Sequence, residues 1–316
     1  MIATRDVYGE TLARLGETNR DIVVLDADLS GSTKTAVFAK RFPDRFFNMG
    51  VAEQDMMGTA AGLATAGKIP FVSTFAIFAS GRAWEQVRQS VAYPKLNVKI
   101  VASHAGITVG EDGASHQSLE DIAVMRAIPG MTVIVPADGV ETGKAIEEIV
   151  RCNGPVYLRV SRGKSPVLLD DSYEFEIGKG VVLRDGADVS ILACGIMVSR
   201  ALDAADILKR EGLSARVINI PTIKPLDTDL VIKAARETGA VVAAEEHSII
   251  GGLGSAVAEV LAENFPVPLK RIGTEDRFGT SGDAERLLEI YGLTSVNIAK
   301  AAREVAKKKQ KVRSKE

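Results

Sequence analysis

The chain has 316 residues, 46% of them hydrophobic and 25% charged, with a formal net charge of −2. That length exceeds one ordinary core and points to two domains, and the composition excludes a disordered chain. The near-neutral charge gives no footprint for nucleic acid, and no apolar run reaches the ~18 residues of a membrane span.

Cys152 and Cys194 lie far apart in unrelated contexts, so neither a disulfide framework nor a metal-ligand spacing follows. A reducing, cytoplasmic setting is expected, since the N-terminus shows no basic stretch followed by an apolar run. The C-terminal tail gathers Lys307, Lys308, Lys309, Lys311, Arg313 and Lys315. It reads as a solvated, fraying helix end.

In chain order, residues 5–15 read as a helix capped by Thr4. A β-branched run at 21–25 ends in the polar loop 26–32, which carries Asp28 and Ser32. A short strand at 46–49 leads into a helix from Gly50 to about Thr65, where Glu53, Met57, Ala60 and Ala64 share a face. The other faces are mostly small or apolar, so the helix reads as buried and Glu53 as a carboxylate carried into the interior. An interior carboxylate needs a partner. A strand at 69–75 and a helix at 80–93 follow, then a strand at 98–102 and a polar, glycine-rich loop over 103–117. A helix at 119–127, a strand at 131–135, a helix at 139–151 and a strand at 156–160 complete the first half. Alternating strands and helices predict a mostly parallel sheet covered by helices, with ligands at the carboxyl ends of the strands. Asp28, the 103–117 loop and Arg162 all fall there.

The pattern breaks over 163–178, which reads as a linker. It restarts with strands at 181–183, 189–193, 215–219, 240–244 and 269–272. The intervening helix at 196–211 has the stripe Val198, Ala201, Leu202, Ala205 and Leu208, with Gly212 as its stop. The fold class is therefore α/β with two domains, each a mostly parallel sheet covered by helices, at residues 1–170 and 179–316. The glycines at 251–254 do not have dinucleotide-loop spacing and read as a tight strand-to-helix turn.

The 103–117 loop holds His104 and His116, two of the three histidines, together with Glu111 and Asp112. Two imidazoles in one loop at a strand's carboxyl end favour a functional role. Phe75 and Phe78 are core residues or a platform for a planar ligand. The run from Ser161 to Lys164, with Arg162, is suited to an anion.

The segments VAEQDM around Glu53, STFAIF at 73–78, SHAGITVGEDGASHQ at 103–117, IPGMTVIVPAD at 128–138 and LRVSRGKSP at 158–166 resemble the C-terminal portion of transketolase. The resemblance spans nearly the whole chain. It implies the pyrimidine-binding thiamine-diphosphate fold followed by a transketolase C-terminal domain, and transfer of a two-carbon ketol unit between sugar phosphates. It implies that Glu53 bonds the aminopyrimidine nitrogen of thiamine diphosphate. Phe75 and Phe78 correspond to the aromatic shelf, whose third member is replaced by Gly81. Asp28 corresponds to an acid at the cofactor and dimer interface. Arg5, Ser32, His104 and Arg162 correspond to the sugar-phosphate site, Asp112 to the reader of a sugar hydroxyl, and His116 to a histidine near the reacting carbons.

One departure stands out: the family's GDG and later NN, which bind Mg²⁺ and the diphosphate, are absent. The expectation is a C-terminal subunit of a split transketolase, inactive alone. Its Mg²⁺ would be bound by an N-terminal transketolase subunit, in an α2β2 assembly serving the pentose phosphate pathway or a specialised sugar route. The rivals are the beta subunit of a 2-oxo acid dehydrogenase decarboxylating component, half of a 1-deoxyxylulose-5-phosphate synthase, and a non-catalytic scaffold. The loop and Arg162 favour a sugar phosphate, because a 2-oxo acid offers no phosphate to bind.

Overall fold

A computed structural model describes residues 1–313, with side chains through residue 309. The chain builds two main sheets, one mostly from each half. The first has seven strands in the order Thr222–Lys224, Thr132–Ile134, Val156–Arg159, Lys99–Ser103, Ile69–Phe75, Ile22–Asp26 and Phe46–Asn48. All neighbours are parallel except Thr222–Lys224, which runs antiparallel on the edge. The second sheet has five strands, in the order Leu269–Thr274, Val241–Ser248, Val189–Ala193, Ala215–Asn219 and Val181–Arg184. It too is parallel apart from its Val181–Arg184 edge. The central strands of both are continuous apolar runs because helices cover both faces.

Several local expectations shift. Thr4 is the first residue of the helix Thr4–Thr18 rather than its cap, which is Ala3. The Thr4 hydroxyl instead accepts from the Ser161 amide at 2.7 Å and ties the N-terminus to the end of strand Val156–Arg159. The expected polar loop after Ile22–Asp26 contains a short helix, Ser30–Thr33. Asp26 organises it, accepting from the Leu29 amide and from the Thr33 and Thr35 hydroxyls. The expected helix at 80–93 is wound largely as π turns, Phe78–Arg82 and Val87–Ala92. The start of the expected linker pairs as a strand, Lys164–Ser165, with Ile2–Ala3. The basic tail continues the helix Ser295–Arg313. The side chains of Lys311 and Arg313, and the whole of Lys315, lie outside the described residues. Among the described residues no helix is long and apolar enough to cross a membrane.

The two halves are joined by buried polar contacts as well as by the Thr222–Lys224 strand. Asp138 caps the helix Gly139–Arg151 and holds the Leu168 and Leu169 amides. Glu141, fully buried, accepts from the Ala137 amide, from the Tyr173 hydroxyl in the connecting segment and from the Asn219 amide group of the second sheet. Burial pushes the Glu141 carboxyl up to about 7, against hydrogen bonds that favour its anion. A folded-state value above the unfolded one means that this stability contribution is full below about 4.5 and is lost as pH rises through about 7. The loss amounts to about 3 kcal/mol. Buried His104, lowered to about 3, has the opposite sign and costs stability as pH falls below about 6.5. The difference in thermal midpoint between wild type and Glu141→Gln, followed from pH 5 to 8, therefore isolates Glu141. We expect that difference to move steadily in favour of the variant as pH rises.

Candidate active site

The helix Glu53–Thr65 starts directly behind the carboxyl ends of the first sheet, with Glu53 as its first residue. Glu53 is 1% exposed. Its burial is made tolerable by the helix N-terminus and by Arg82, whose Nη1 lies 3.3 and 3.2 Å from the two carboxylate oxygens. Arg82 was not marked by any sequence pattern. The π-helical turn Phe78–Arg82 delivers it, and its guanidinium also lies over the Phe78 ring, 4.7 Å from the centroid. Met56, Met57, Ala60 and Ala61 bury the inner face of the helix, while Gln54, Asp55, Gly58 and Gly62 leave the outer face open in the single chain.

Phe75 ends the strand Ile69–Phe75, and Phe78 begins the π turn. Their rings are nearly parallel, 6.1 Å apart at 11°. His116 stands edge-on to both, 6.2 Å from Phe75 and 5.5 Å from Phe78. The expected third aromatic position, Gly81, has no atom within 4 Å of where a Cβ would stand, so the shelf stays open on that side.

His104 stacks on Phe75 with centroids 3.9 Å apart. Its Nε2 faces Arg5 Nη1 at 3.1 Å, and Nδ1 faces Ser103 Oγ at 2.9 Å. A guanidinium only donates, so Nε2 accepts and Nδ1 carries the proton. Burial, reinforced by Arg5 and Arg162, lowers the imidazole to about 3. His104 is thus a neutral acceptor, and the fixed positive charge beside it belongs to the two arginines. Arg5 Nη1 also donates to the Ser32 carbonyl at 3.1 Å, so Ser32 enters the cluster through its backbone.

Arg162 reaches into the 103–117 loop. It donates to the Val109 carbonyl and lies 3.5 Å from Glu111 and 3.6 Å from Asp112. Asp28 is exposed, in a left-handed backbone conformation at φ 63°, and accepts from Asn48 Nδ2 at 2.9 Å. Glu53, Phe75, Phe78, His104 and His116 thus form one wall. Arg5 adjoins it through His104 and brings in the Ser32 carbonyl, Arg162 stands beside Asp112 of the 103–117 loop, and Asp28 sits at the neighbouring strand end. Among the described residues no group of three or more His, Cys, Asp and Glu could hold a metal ion.

A planar heterocycle with a ring nitrogen fits this wall. A buried carboxylate sits beside near-parallel aromatic rings, and an open flank stands where a third ring would be.

Two family models cover the chain: the pyrimidine-binding domain of transketolase over residues 1–167 and the transketolase C-terminal domain over residues 178–298. A protein of Methanocaldococcus jannaschii named as a transketolase C-terminal section is 58% identical over 307 residues, covering 96% of each chain. The 6-deoxy-6-sulfo-D-fructose transketolase subunit of Clostridium sp. strain MSTE9 is 48% identical over 305 residues, covering 96% of this chain and 95% of that one. A solved structure described as a split gene transketolase, inactive beta4 tetramer, is 54% identical with a TM-score of 0.91, covering 97% of this chain and 99% of that one. The chain belongs to the transketolase family, a thiamine-diphosphate-dependent family, and carries its pyrimidine-binding and C-terminal domains.

Proposed function

We propose that this chain is the C-terminal subunit of a split transketolase that moves a two-carbon ketol unit between sugar phosphates. The observation that carries the reading is the buried Glu53 on one wall with the Phe75–Phe78 pair, facing a loop that brings His116 to the same wall and holds Asp112 beside Arg162. Thiamine diphosphate, when bound, supplies the carbanion chemistry at the transferred carbons. Glu53 would hold its pyrimidine nitrogen, Phe75 and Phe78 would flank the ring, and Asp28 would lie near the cofactor at the chain interface. His116 would exchange protons near the reacting carbons, and Asp112 would read the adjacent hydroxyl. Arg5 and Arg162, with His104 and Ser32, would hold the phosphate, the guanidinium forks matching its oxygens.

In this reading Mg²⁺ and the diphosphate are bound by an N-terminal transketolase subunit in an α2β2 assembly, and the lack of GDG…NN in this sequence is in keeping with it. The open outer face of the Glu53 helix and the relative described as an inactive beta4 tetramer support this reading. In it residues 1–170 are the pyrimidine-binding domain, residues 179–316 are the C-terminal domain, and the assembly is cytoplasmic.

The test mixes this chain with a partner chain carrying GDG…NN, thiamine diphosphate and Mg²⁺. Turnover is then assayed with xylulose 5-phosphate, a 6-sulfo-ketose and a 2-oxo acid. Ketol transfer from the phosphorylated donor, present only in the mixture, is the expected result. Preference for the sulfonate would keep the reaction and change the substrate. Turnover of the 2-oxo acid alone would replace the reading with that of a decarboxylating beta subunit.

A further inference from the structure

The loop that carries His104, Asp112 and His116 has almost no sheet pairing of its own. One isolated bridge, Ala105 to Ser118, closes its base. Backbone amides buried without a partner are costly, so something else must hold the loop's shape. Beside its own short helical turn at Ile107–Asp112 and the Arg162 tether, the holding groups are the loop's Gln117 and residues of the C-terminal half. Gln117 Nε2 donates to the Ile107, Gly110 and Thr280 carbonyls, and Ser281 Oγ donates to the Glu111 carbonyl at 2.6 Å. The deepest-set of these C-terminal groups is Glu246, on the strand Val241–Ser248, whose Oε1 accepts from the Thr108 amide at 2.7 Å.

Glu246 is 4% exposed. A core ion pair with Arg159 would be the plain explanation for it, but the distances argue otherwise. Arg159 Nη1 stands 3.9 Å from the Glu246 carboxylate, whereas Arg159 Nε donates to Asp121 at 2.8 Å, and Asp121 also accepts from the Tyr157 hydroxyl. Arg159 offsets the charge on Glu246 but does not hold its carboxylate, bonding instead to the Glu246 carbonyl at 2.9 Å. The backbone on the loop side is shaped around the same group. Gly106 adopts φ +82°, and a Cβ there would stand 2.3 Å from the Glu246 carboxyl carbon. Only glycine lets the loop close onto this carboxylate.

We infer that Glu246 is a positioning residue for the substrate loop: through the Thr108 amide, its carboxylate fixes where Asp112 and His116 stand. This gives the C-terminal domain a defined part in the site, beside the Thr280 and Ser281 contacts to the same loop. The structural claim stands on contacts within this chain, and only its kinetic consequence rests on the function proposed above.

Two conservative variants separate reach from charge. Glu246→Gln keeps an acceptor at the Thr108 amide and gives up the charge. Glu246→Asp keeps the charge facing Arg159 and shortens the reach. Amide hydrogen exchange of the full chain is followed over residues 106–117, with the strand Lys99–Ser103 as the internal reference for global folding. The expected result is exchange at least about tenfold faster in the loop for the Asp variant, and within about threefold of wild type for Gln, with Lys99–Ser103 unmoved. Loosening by Gln alone, by both variants or by neither overturns the assignment. Should the Asp variant lose protection in Lys99–Ser103 as well, replacing the Thr108 amide by an ester removes the donor and leaves the core intact, and Gln117→Leu serves as the control for the weakened Ile107 carbonyl. The same loop loosening is then expected, and wild-type exchange overturns the assignment.

In the reconstituted enzyme, kcat/KM for the ketose donor should fall at least about tenfold for Glu246→Asp, chiefly through KM, and stay near wild type for Gln. Equal kinetics for the two variants would also overturn it. A wild-type mixture without ketol transfer would sink the proposed function and leave the exchange result standing.

Discussion

Replacing Glu53 by alanine in the assembled enzyme should lower ketol-transfer turnover by at least about a hundredfold while the assembly persists, in the range expected when an acid–base group leaves a reacting system. Two features of the site separate the two effects. Glu53 is the buried member of its ion pair, at 1% side-chain exposure, whereas Arg82 is half open to water at 50%. Removing the carboxylate therefore leaves a cation that solvent can take over, not a stranded charge in the core. The side chains beneath Glu53, among them Met56, Met57 and Ala60, remain to hold the helix. Size-exclusion chromatography of the mixed chains reports assembly, and a donor assay reports turnover. Retention of more than roughly a tenth of wild-type turnover would remove Glu53 from the acid–base role. Loss of assembly would make the carboxylate structural instead. Arg82→Ala is the informative companion. It leaves Glu53 buried without its cation, so its effect on turnover measures how much of the Glu53 contribution depends on that pairing.

Much of this could be read from the chain because the signals were local. The β-branched runs and small-residue helices alternate strictly enough to give two covered parallel sheets. The Glu53 helix was marked by a charge in an otherwise apolar pattern. What was not legible depends on distances along the chain. Arg82 meets Glu53 only because the segment after Phe78 winds as π turns, which rotate its side chains away from α-helical spacing. Glu246 is 138 positions from Thr108, and its two neighbours Glu245 and His247 gave it no pattern of its own. A buried carboxylate in a strand is a signal only once its strand is known to be central and covered. Asp26 was passed over for Asp28 for a related reason. Both lie at the start of the same polar loop, yet Asp26 is buried and shapes the turn while Asp28 faces outward. The edge strand Thr222–Lys224 was missed because it is three residues long and its partner lies in the other half of the chain.

Arg162→Ala should raise KM for a phosphorylated ketose by about tenfold to a hundredfold, the range of one or two lost charge-assisted hydrogen bonds. The structure also gives Arg162 a second task, which sharpens the test. The same guanidinium donates to the Val109 carbonyl and faces Glu111 and Asp112, so alanine loosens the loop as well as the anion site. Loop loosening affects every donor, whereas the lost phosphate contact affects only donors that carry the phosphate. The quantity to compare is therefore the ratio of the two KM increases, for a ketose phosphate and for hydroxypyruvate, and it should exceed about ten. Arg162→Lys restores charge without the planar fork and should recover part of that ratio while recovering little of the loop contact. Neutral His104 cannot substitute for the lost cation, because its Nε2 is committed as an acceptor to Arg5. A ratio near one would mean that Arg162 acts only as a tether for the loop. The phosphate would then have to be held by Arg5 alone, and Arg5→Ala would be the variant that separates the two donors.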